Sequence, residues 1–292
     1  MVIVIDGNHL FARCYFGVKP LTTSSGQETQ GIYGFLNSLR SFVRQFKSED
    51  NHIFVAWDGG NQARRDIYPE YKANRKGFQS GYHEQIKMTQ AIVGCFRLVR
   101  QYMIKDVEGD DIIGTLTRKA RKYGQKVIII SADHDFQQLI STHIKLLKIV
   151  RSTSQQYIDA KWLMEEFAIR PDQVIDFLSL TGDGKDNIPG VPGVGNKTAS
   201  KLIFLNGSVK VILEDIDNIK GASEKIKEKI RKNINIIKLA KRLVTINQNI
   251  DLFFSLENEK ENDFEAFEEL LEQLEFKSFI KDIEQWKVDF EE

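Results

Sequence analysis

Three apolar segments of the sequence end in aspartate. They read MVIVIDGN, NHIFVAWDGG and QKVIIISADHD, and they carry Asp6, Asp58, Asp133 and Asp135. A short run of β-branched residues that stops at a polar turn is typical of a buried parallel strand. One aspartate after such a strand commonly caps the next helix. Three in succession are harder to explain by capping. Clustered carboxylates also raise one another's pKa, so the arrangement is costly unless cations offset the negative charge.

Two further acidic groups follow the same pattern. DVEGDDIIG places Glu108, Asp110 and Asp111 at the start of a predicted helix, and TGDGKDN carries Asp183 and Asp186 three residues apart. Acids are favourable at a helix N-terminus, which is the structural explanation for the first group. Three acids around one glycine are more than that explanation needs.

Together these segments predict a metal site built from carboxylates. Oxygen ligands without histidine or cysteine favour a hard cation, Mg²⁺ or Mn²⁺. Two ions roughly 4 Å apart, acting on one phosphodiester, would use so many carboxylates. Calcium is disfavoured, since DHDFQQL lacks the glycine and the terminal glutamate of an EF-hand loop. The candidate metal ligands are Asp6, Asp58, Glu108, Asp110, Asp111, Asp133, Asp135, Asp183 and Asp186.

A glycine-rich segment, GVPGVGNKT, resembles a nucleotide-binding P-loop at first sight. Asn196 displaces Lys197 from the position that the P-loop pattern requires, and residues 173–180 before it have helical periodicity. We therefore expect a hairpin between two helices, whose backbone amides bind a nucleic-acid phosphate without reading bases. A simple tight turn is the alternative. The candidate DNA-binding residues are Gly190, Gly193, Gly195, Lys197, Thr198 and Lys201.

The elements that must position these residues alternate along the chain. Amphipathic stretches at 32–46 and 112–123 separate the predicted strands, which indicates βαβ crossovers. We expect an α/β fold with a central, mostly parallel sheet, helices on both faces and a helix-hairpin-helix region. An α/β catalytic domain would span 1–170, and the hairpin region with the C-terminal helices would span 171–292.

Composition is that of an ordinary globular protein. The 292 residues are 41% hydrophobic and 28% charged, with a net charge of zero. Basic residues nevertheless concentrate between Lys201 and Arg242, where eleven Lys and Arg face five Asp and Glu. Either a basic stripe or solvated helix faces would explain this.

Residues 257–292 are acidic and predict an amphipathic helix that packs on the body. No apolar run spans a bilayer, no signal peptide is recognisable, and two distant cysteines indicate a reducing compartment, so a cytoplasmic protein is expected.

Six motifs in order resemble the 5′-nuclease family, which includes flap endonucleases and the 5′→3′ exonuclease domain of bacterial DNA polymerase I. They are VIDGN, WDGG, YKANR, VEGDDIIG, SADHDFQQL and TGDGKDNIPGVPGVGNKTA, between residues 2 and 205. The last is especially similar to the polymerase I domain. No polymerase follows, so a free-standing enzyme of a bacterium or a phage is expected.

The resemblance implies roles for individual residues. It assigns the five acids from Asp6 to Asp111 to one metal position and the four from Asp133 to Asp186 to a second, more loosely held one. It also implies that the hairpin holds duplex DNA, with K⁺ as a further cofactor. His134 and Lys185, which lie between metal ligands, are interpreted as tuning or solvent-exposed residues.

The segment EYKANRK supplies an aromatic residue beside spaced cations, which suits base stacking and phosphate binding. Salt bridges on a helix face are the structural alternative. With the resemblance, Lys72 and Arg75 would position the scissile phosphate at the base of a helical arch at about 70–95, and Tyr71 would support the terminal nucleotide. Lys76, Arg64 and Arg65 are further candidates for phosphate contacts. The arch itself has few cations.

The expected function is structure-selective, metal-dependent hydrolysis near 5′ ends. The enzyme would act as flap endonuclease and 5′→3′ exonuclease on DNA with a 5′ flap, nick or free 5′ end. RNA primers in RNA–DNA hybrids are further expected substrates, and the protein is expected to be a monomer. Two alternatives are a related metal-dependent ribonuclease, which the hairpin disfavours, and a DNA-binding accessory protein with a degenerate site, which the full acidic set disfavours.

Overall fold

The computed structural model describes residues 1–48, 50–75, 77, 80–151, 154–257 and 260–291. The strands are β1 Val2–Asp6, β2 His52–Trp57, β3 Val99–Met103, β4 Val127–Ile130, β5 Ile144–Arg151 and β6 Ser154–Ile158. The α-helices are α1 Gly7–Gly17, α2 Gln30–Phe46, α3 Gln62–Ile67, α4 Ser80–Val93, α5 Gly109–Lys122, α6 Ala160–Phe167, α7 Val174–Thr181, α8 Asn196–Asn206, α9 Val209–Glu214, α10 Glu224–Lys232, α11 Ile234–Val244, α12 Phe264–Gln273, α13 Lys277–Lys281 and α14 Ile283–Glu291. Short 3₁₀ helices span His134–Leu139, Pro171–Gln173 and Ile216–Asn218.

The chain divides into two compact units that do not follow chain order. The first unit comprises Met1–Gly59, Gly77–Ser131 and Gln248–Glu292, and the second comprises Gly60–Lys76 and Ala132–Asn247. The functional boundary expected near residue 170 stays a prediction, since these units reflect contacts and not activity. Within the described residues, no helix is both long and apolar enough to cross a membrane.

Parallel strands form the centre of the first unit, in the order β3-β2-β1-β4. β1 is apolar throughout because it lies between β2 and β4, and Val2, Ile3, Val4 and Ile5 are all 0% exposed. The chain moves outward from β1 to β3 and then returns to the other side of β1 through α5. Since such crossovers are right-handed, this reversal places helices on both faces. The strand order reverses between β1 and β4, and ligands of such sheets generally bind at the carboxyl ends of the strands at this point. The predicted α/β fold is confirmed.

The segment that follows residue 247 completes the first unit. Arg118 Nε donates to the Gln248 carbonyl at 2.6 Å, and the Ile250 amide donates to Thr115 Oγ1 at 3.1 Å. Farther on, α14 packs against α2, where Arg40 Nε contacts Asp289 Oδ2 at 2.5 Å and the Arg40 guanidinium lies 4.5 Å from the Trp286 ring centroid. The C-terminal region therefore packs on the body, as its amphipathic pattern predicts.

Helices form most of the second unit, together with the antiparallel pair β5 and β6. α7 packs against α11 and α8. Asp176, which is buried in α7, accepts from the Val209 amide at 3.1 Å and from Lys241 Nζ at 2.8 Å. This carboxylate fixes α7 to the start of α9 and to α11. The hairpin between α7 and α8 is thus held on a packed helical scaffold.

Candidate functional site

The first carboxylate group, which comprises Asp6, Asp58, Glu108, Asp110 and Asp111, lies in the first unit. Asp6 ends β1 and caps α1 by accepting from the His9 amide at 3.0 Å. Its other oxygen accepts from Ser131 Oγ, just beyond β4, at 2.9 Å. The capping explanation is therefore correct for Asp6, yet its second oxygen also contacts the residue that follows β4.

Asp58 joins the end of β2 to the start of α5. Its Oδ1 accepts from the Gly109 amide at 2.6 Å, and its own amide donates to Asn8 Oδ1 at 2.9 Å. A Cβ at Gly109 would lie only 3.0 Å from Asp58 Oδ1, so glycine permits this close approach of backbone to carboxylate. Asp58 and the loop before α5 are thereby fixed together.

Two of the acids at the start of α5 are buried. Glu108 occupies the N-cap position, but its side chain makes no capping hydrogen bond, and it is 3% exposed. Asp111 is also buried, at 6% exposed. Burial of two carboxylates at one helix start is costly without a cation or strong hydrogen-bond donors. This favours the functional interpretation of the VEGDD motif.

Tyr82 is a residue of this region that the sequence analysis missed. It lies in α4, is 2% exposed, and packs edge-on against Phe11. Burial, and then the negative charges of Asp58 and Asp6, raise the pKa of its hydroxyl. Tyr82 is therefore a neutral group whose hydroxyl is close enough to these two carboxylates to respond to their charge. A tyrosine at an apolar position of a helix gives no sequence signal that it lies near these carboxylates.

The second carboxylate group, which comprises Asp133, Asp135, Asp183 and Asp186, lies in the second unit. Asp133 accepts from the Asp135 amide at 3.1 Å, and Asp183 pairs through its backbone with Ile188 at 2.8 and 2.9 Å. Burial, followed by the charges of Asp133, Asp183 and Asp186, raises the pKa of Asp135 well above its ordinary value. Burial and Asp186 likewise raise the pKa of Asp183. The four carboxylates are close enough to destabilise one another's charge.

Cations of the chain itself contact this group from two positions. Lys185 Nζ lies 2.5 Å from Asp133 Oδ2. Arg75 Nη2 contacts Asp186 Oδ1, and Lys72 Nζ lies 3.5 Å from Asp186 Oδ2. Partial desolvation of the ammonium beside the carboxylates lowers the pKa of Lys185, but the charges of Asp133 and Asp186 outweigh it, so the pKa is raised. Lys185 is therefore charged as well as largely exposed to solvent.

Backbone contacts fix the YKANR turn on the TGDGKDN loop. The Lys72 amide donates to the Asp186 carbonyl at 2.9 Å, and Asn74 Nδ2 donates to the Gly184 carbonyl at 2.8 Å. Tyr71 is 2% exposed, and its hydroxyl donates to Asp186 Oδ2 at 3.3 Å. The stacking role expected of Tyr71 stays a prediction, but its hydroxyl serves to position Asp186. Lys76 lies outside the described residues.

Arg64 does not have the role that the sequence suggested. Its guanidinium donates to the Leu243 carbonyl at 2.9 Å and to the Thr245 carbonyl at 3.3 Å, and the residue is 7% exposed. These carbonyls end α11, where a cation is favourable. Arg64 is thus a structural residue, and the expectation of a phosphate contact was wrong for it.

No group of three or more His, Cys, Asp or Glu side chains among the described residues is arranged to hold a metal ion. In the second carboxylate group, Lys185, Lys72 and Arg75 contact the carboxylates and supply positive charge. The donor chemistry nevertheless fits a hard divalent cation, because the four candidate ligands are all carboxylates. Burial and mutual repulsion raise the pKa of Asp135 and of Asp183, and a bound cation would offset both effects.

The predicted hairpin lies between α7 and α8. Its glycines are required by close contacts: a Cβ at Gly190 would lie 2.2 Å from the Thr181 carbonyl oxygen, and Gly193 has φ +78°. α8 begins at Asn196 after Gly195, without a side-chain cap, and buries Ala199, Leu202 and Ile203. Lys197 and Lys201 are exposed. The arrangement leaves amides at the start of α8 and two lysines on its surface.

Lys229 of α10 adds a cation to the hairpin that the sequence analysis did not single out. A Cβ at Gly193 would lie 2.2 Å from Lys229 Nζ, so the ammonium sits directly against the turn. Its only sequence signal was membership of the basic run between Lys201 and Arg242. The basic run therefore brings at least one ammonium to the hairpin.

Two family models match successive parts of the chain. Residues 1–168 match the family model of the 5′-3′ exonuclease N-terminal resolvase-like domain, and residues 169–274 match that of the 5′-3′ exonuclease C-terminal SAM fold. The chain is 34% identical over 282 residues to the thermostable DNA polymerase I of Thermus thermophilus. That alignment covers 96% of this chain and 32% of the polymerase, so the chain spans about a third of the length of such relatives.

Solved structures show the same fold. The T5 5′-exonuclease with bound zinc has a TM-score of 0.66 and 19% identity, and the match covers 84% of this chain and 89% of that one. The T5 flap endonuclease in a pseudo-enzyme-product complex with DNA and metal ions has a TM-score of 0.65 and 19% identity, with 97% and 98% covered. At this level of identity the two structures establish the fold of the chain.

Proposed function

Because the chain belongs to the 5′-3′ exonuclease family, we propose that it is a structure-selective, metal-dependent 5′-nuclease. It would hydrolyse phosphodiesters near the 5′ ends of DNA, as flap endonuclease and as 5′→3′ exonuclease. The observation that carries this proposal is the fixed position of Lys72 and Arg75 beside Asp186 of the second carboxylate group. Two cations placed at a carboxylate group with metal-binding chemistry suit the recognition of a phosphodiester.

Each carboxylate group would hold one divalent cation, Mg²⁺ or Mn²⁺. Asp6, Asp58, Glu108, Asp110 and Asp111 would hold the first, and Asp133, Asp135, Asp183 and Asp186 the second. When bound, such cations make water a stronger nucleophile and neutralise the charge that develops on the leaving oxygen. The buried state of Glu108 and Asp111 and the raised pKa values of Asp135 and Asp183 support this assignment.

The residues of the YKANR turn would bind the scissile phosphate. Lys72 and Arg75 would donate to its non-bridging oxygens and stabilise the charge that grows on them in the transition state. Tyr71 would keep the turn in place through Asp186 and support the terminal nucleotide. Since Lys72 is only 10% exposed and Arg75 42% exposed, Arg75 is the side chain with more freedom to follow a substrate.

The hairpin would hold the duplex part of the substrate. Backbone amides around Gly190, Gly193 and Gly195, with the cations of Lys197 and Lys201, would contact phosphates without reading sequence. Thr198 would add a hydroxyl, and K⁺ is a further proposed cofactor there. The proposed substrates are DNA with a 5′ flap, nick or free 5′ end and RNA–DNA hybrids, bound by a monomer. A catalytic region over 1–170 and a DNA-binding region over 171–292 remain part of this proposal.

Cleavage assays on a 5′-flap, a nicked duplex and a hairpin RNA, each with Mg²⁺ and with EDTA, test the proposed function. We expect cleavage of the flap and of the nicked duplex that requires the cation and leaves 5′-phosphate ends. Asp110→Asn should abolish cleavage while binding of duplex DNA in EDTA stays close to wild type. Activity that persists in EDTA, or no cleavage of branched DNA, would exclude this function.

A further inference from the structure

Lys185 is the charged residue of the second carboxylate group to which the proposed function assigns no task. Its Nζ lies 2.5 Å from Asp133 Oδ2, and its backbone amide donates to Asp183 Oδ1 at 2.8 Å. One residue therefore contacts two of the four carboxylates, with an ammonium on one and an amide on the other. The amide contact fixes where the side chain starts, and the ammonium contact uses an oxygen that a metal ion would need.

Two other cations contact a different carboxylate of the group. Lys72 and Arg75 contact Asp186, and Lys72 is 10% exposed, since it lies within the docked YKANR turn. Lys185 has a side chain that is 59% exposed, whereas Asp133 is 20% exposed. The ammonium can therefore leave Asp133 for water without disturbing packed residues, while Asp133 keeps its place.

We propose that Lys185 is a displaceable counter-cation that competes with the divalent cation for Asp133 and thereby sets the cation concentration at which the second carboxylate group fills. This inference rests on the proposed function, because it presumes that the group binds a divalent cation. Lys185 acts here on the affinity of the group for its cofactor and contacts neither substrate nor reacting atoms.

The size of the effect follows from charge and exposure. A fixed ammonium next to a divalent cation would repel it strongly, but an ammonium that moves into water avoids most of that repulsion. What remains is the loss of its contact with Asp133 and a residual positive potential. We therefore expect that removal of the ammonium strengthens cation binding at this group by about three- to tenfold.

A purely structural ion pair is the competing explanation, and it makes a different prediction. If the pair served only to hold the loop, Lys185→Ala would lower the melting temperature in EDTA and leave cation affinity unchanged. In our proposal Lys185→Ala binds the cation more tightly, so its melting temperature rises more than that of wild type when the cation is added. Lys185→Arg keeps the charge and should behave like wild type in both measurements.

The test is a titration with Mn²⁺ by calorimetry, supported by electron paramagnetic resonance of free Mn²⁺, on the full chain without DNA. The variants are Lys185→Ala, Lys185→Arg, and Lys210→Ala as a matched control, since Lys210 is an exposed lysine of the same unit that pairs with Glu214 at 3.8 Å. Adding Asp133→Asn to Lys185→Ala should remove the gain in affinity, because the contested carboxylate is then absent.

We expect one class of Mn²⁺ sites to tighten in Lys185→Ala only, with the number of sites unchanged. Equal affinities in wild type and Lys185→Ala, for a protein that cleaves the 5′-flap with Mg²⁺, would overturn this inference and leave the proposed function intact. Tightening that persists in the Asp133→Asn background would overturn it as well. A wild type that neither binds Mn²⁺ nor cleaves the flap would instead refute the proposed function, and this inference with it.

Discussion

Lys72 Nζ lies 3.5 Å from Asp186 Oδ2, although the two residues are far apart in the chain. Arg75 contacts Oδ1 of the same carboxylate, and the Tyr71 hydroxyl donates to Oδ2 at 3.3 Å. Asp186 is thus where the YKANR turn meets the TGDGKDN loop. A carboxylate in contact with two cations and a hydroxyl has both a structural and an electrostatic role. Substitutions of Lys72 and of Asp186 test these two roles separately.

Lys72→Ala should slow cleavage strongly and leave folding intact. Loss of a cation that stabilises transition-state charge commonly costs about 10²- to 10³-fold in rate. Single-turnover cleavage of a 5′-flap with saturating Mg²⁺ measures this, and binding of the flap in EDTA should change by less than about threefold. Lys161→Ala is the matched control, because Lys161 is an exposed lysine of the same unit, in α6. A wild-type rate in Lys72→Ala would contradict the assignment.

Asp186→Asn should reduce both stability and activity. The neutral amide leaves Lys72 and Arg75 without their counter-charge, and breaking a partly buried charge network costs about 3 kcal/mol. Thermal unfolding in EDTA should therefore show a lower melting temperature. Asp172→Asn, which removes an exposed partner of Arg170, should leave the melting temperature nearly unchanged. Equal melting temperatures for the two variants would show that the docked turn contributes no stability.

Substitutions in the hairpin should weaken binding of DNA and leave the chemistry of the carboxylates unchanged. Gly193→Ala is strained because Gly193 has φ +78°. The added Cβ would also displace the Lys229 ammonium from the turn. Lys197→Glu should lower duplex affinity in EDTA by about tenfold and reduce its salt dependence. Fluorescence anisotropy over a range of salt concentrations measures both effects, with Lys210→Glu as the control. Unchanged binding by Lys197→Glu at moderate salt would exclude the hairpin as a phosphate site.

The Arg40–Asp289 pair should make stability depend on pH. Burial alone would raise the pKa of the Asp289 carboxyl, but hydrogen bonds from Arg44 and Arg40 outweigh it, and the pKa is lowered. The pair therefore stabilises the fold above the ordinary aspartate pKa of about 4, and this contribution disappears as the pH falls through the lower folded value. Asp289→Asn should cost about 3 kcal/mol at pH 7.

Urea unfolding at several pH values measures that contribution. The stability difference between wild type and Asp289→Asn should be constant from about pH 7 to pH 5 and should shrink below about pH 4. Glu284→Gln, which alters an exposed residue of the same helix, should show no such trend. A difference that grows on acidification would contradict the sign of the pKa shift.

Much of the candidate site could be predicted because its signals are local. Asp6 and Asp58 come at the ends of apolar strands, and Glu108 and Asp111 lie at the start of a helix with a clear apolar face. The glycines of the hairpin all lie within one short segment of the sequence. Each expectation about secondary structure at these positions is confirmed. The strands β3, β5 and β6 were not predicted, since their mixed polar and apolar residues lack the apolar run that marks β1.

Contacts between distant segments could not be predicted in the same way. No sequence pattern around Lys185 predicts that its ammonium contacts Asp133. No pattern around Tyr82 predicts that the charge of Asp58 raises the pKa of its hydroxyl. Arg64 illustrates the opposite error. An arginine in a basic segment suggested a phosphate contact, but its guanidinium donates to carbonyls at the C-terminal end of α11. Partners of long flexible cations are decided by tertiary packing, which a single sequence does not reveal.

The segment 248–291 that completes the first unit has a consequence for biosynthesis. α2 and α5 emerge from the ribosome before their partners at Gln248, Ile250 and Asp289. The second unit has all its segments available once Asn247 has emerged. The nascent chain should therefore be able to complete its helical hairpin scaffold first. The unit that contains Asp6 and Asp58 can be completed only after residues 248–291 have emerged.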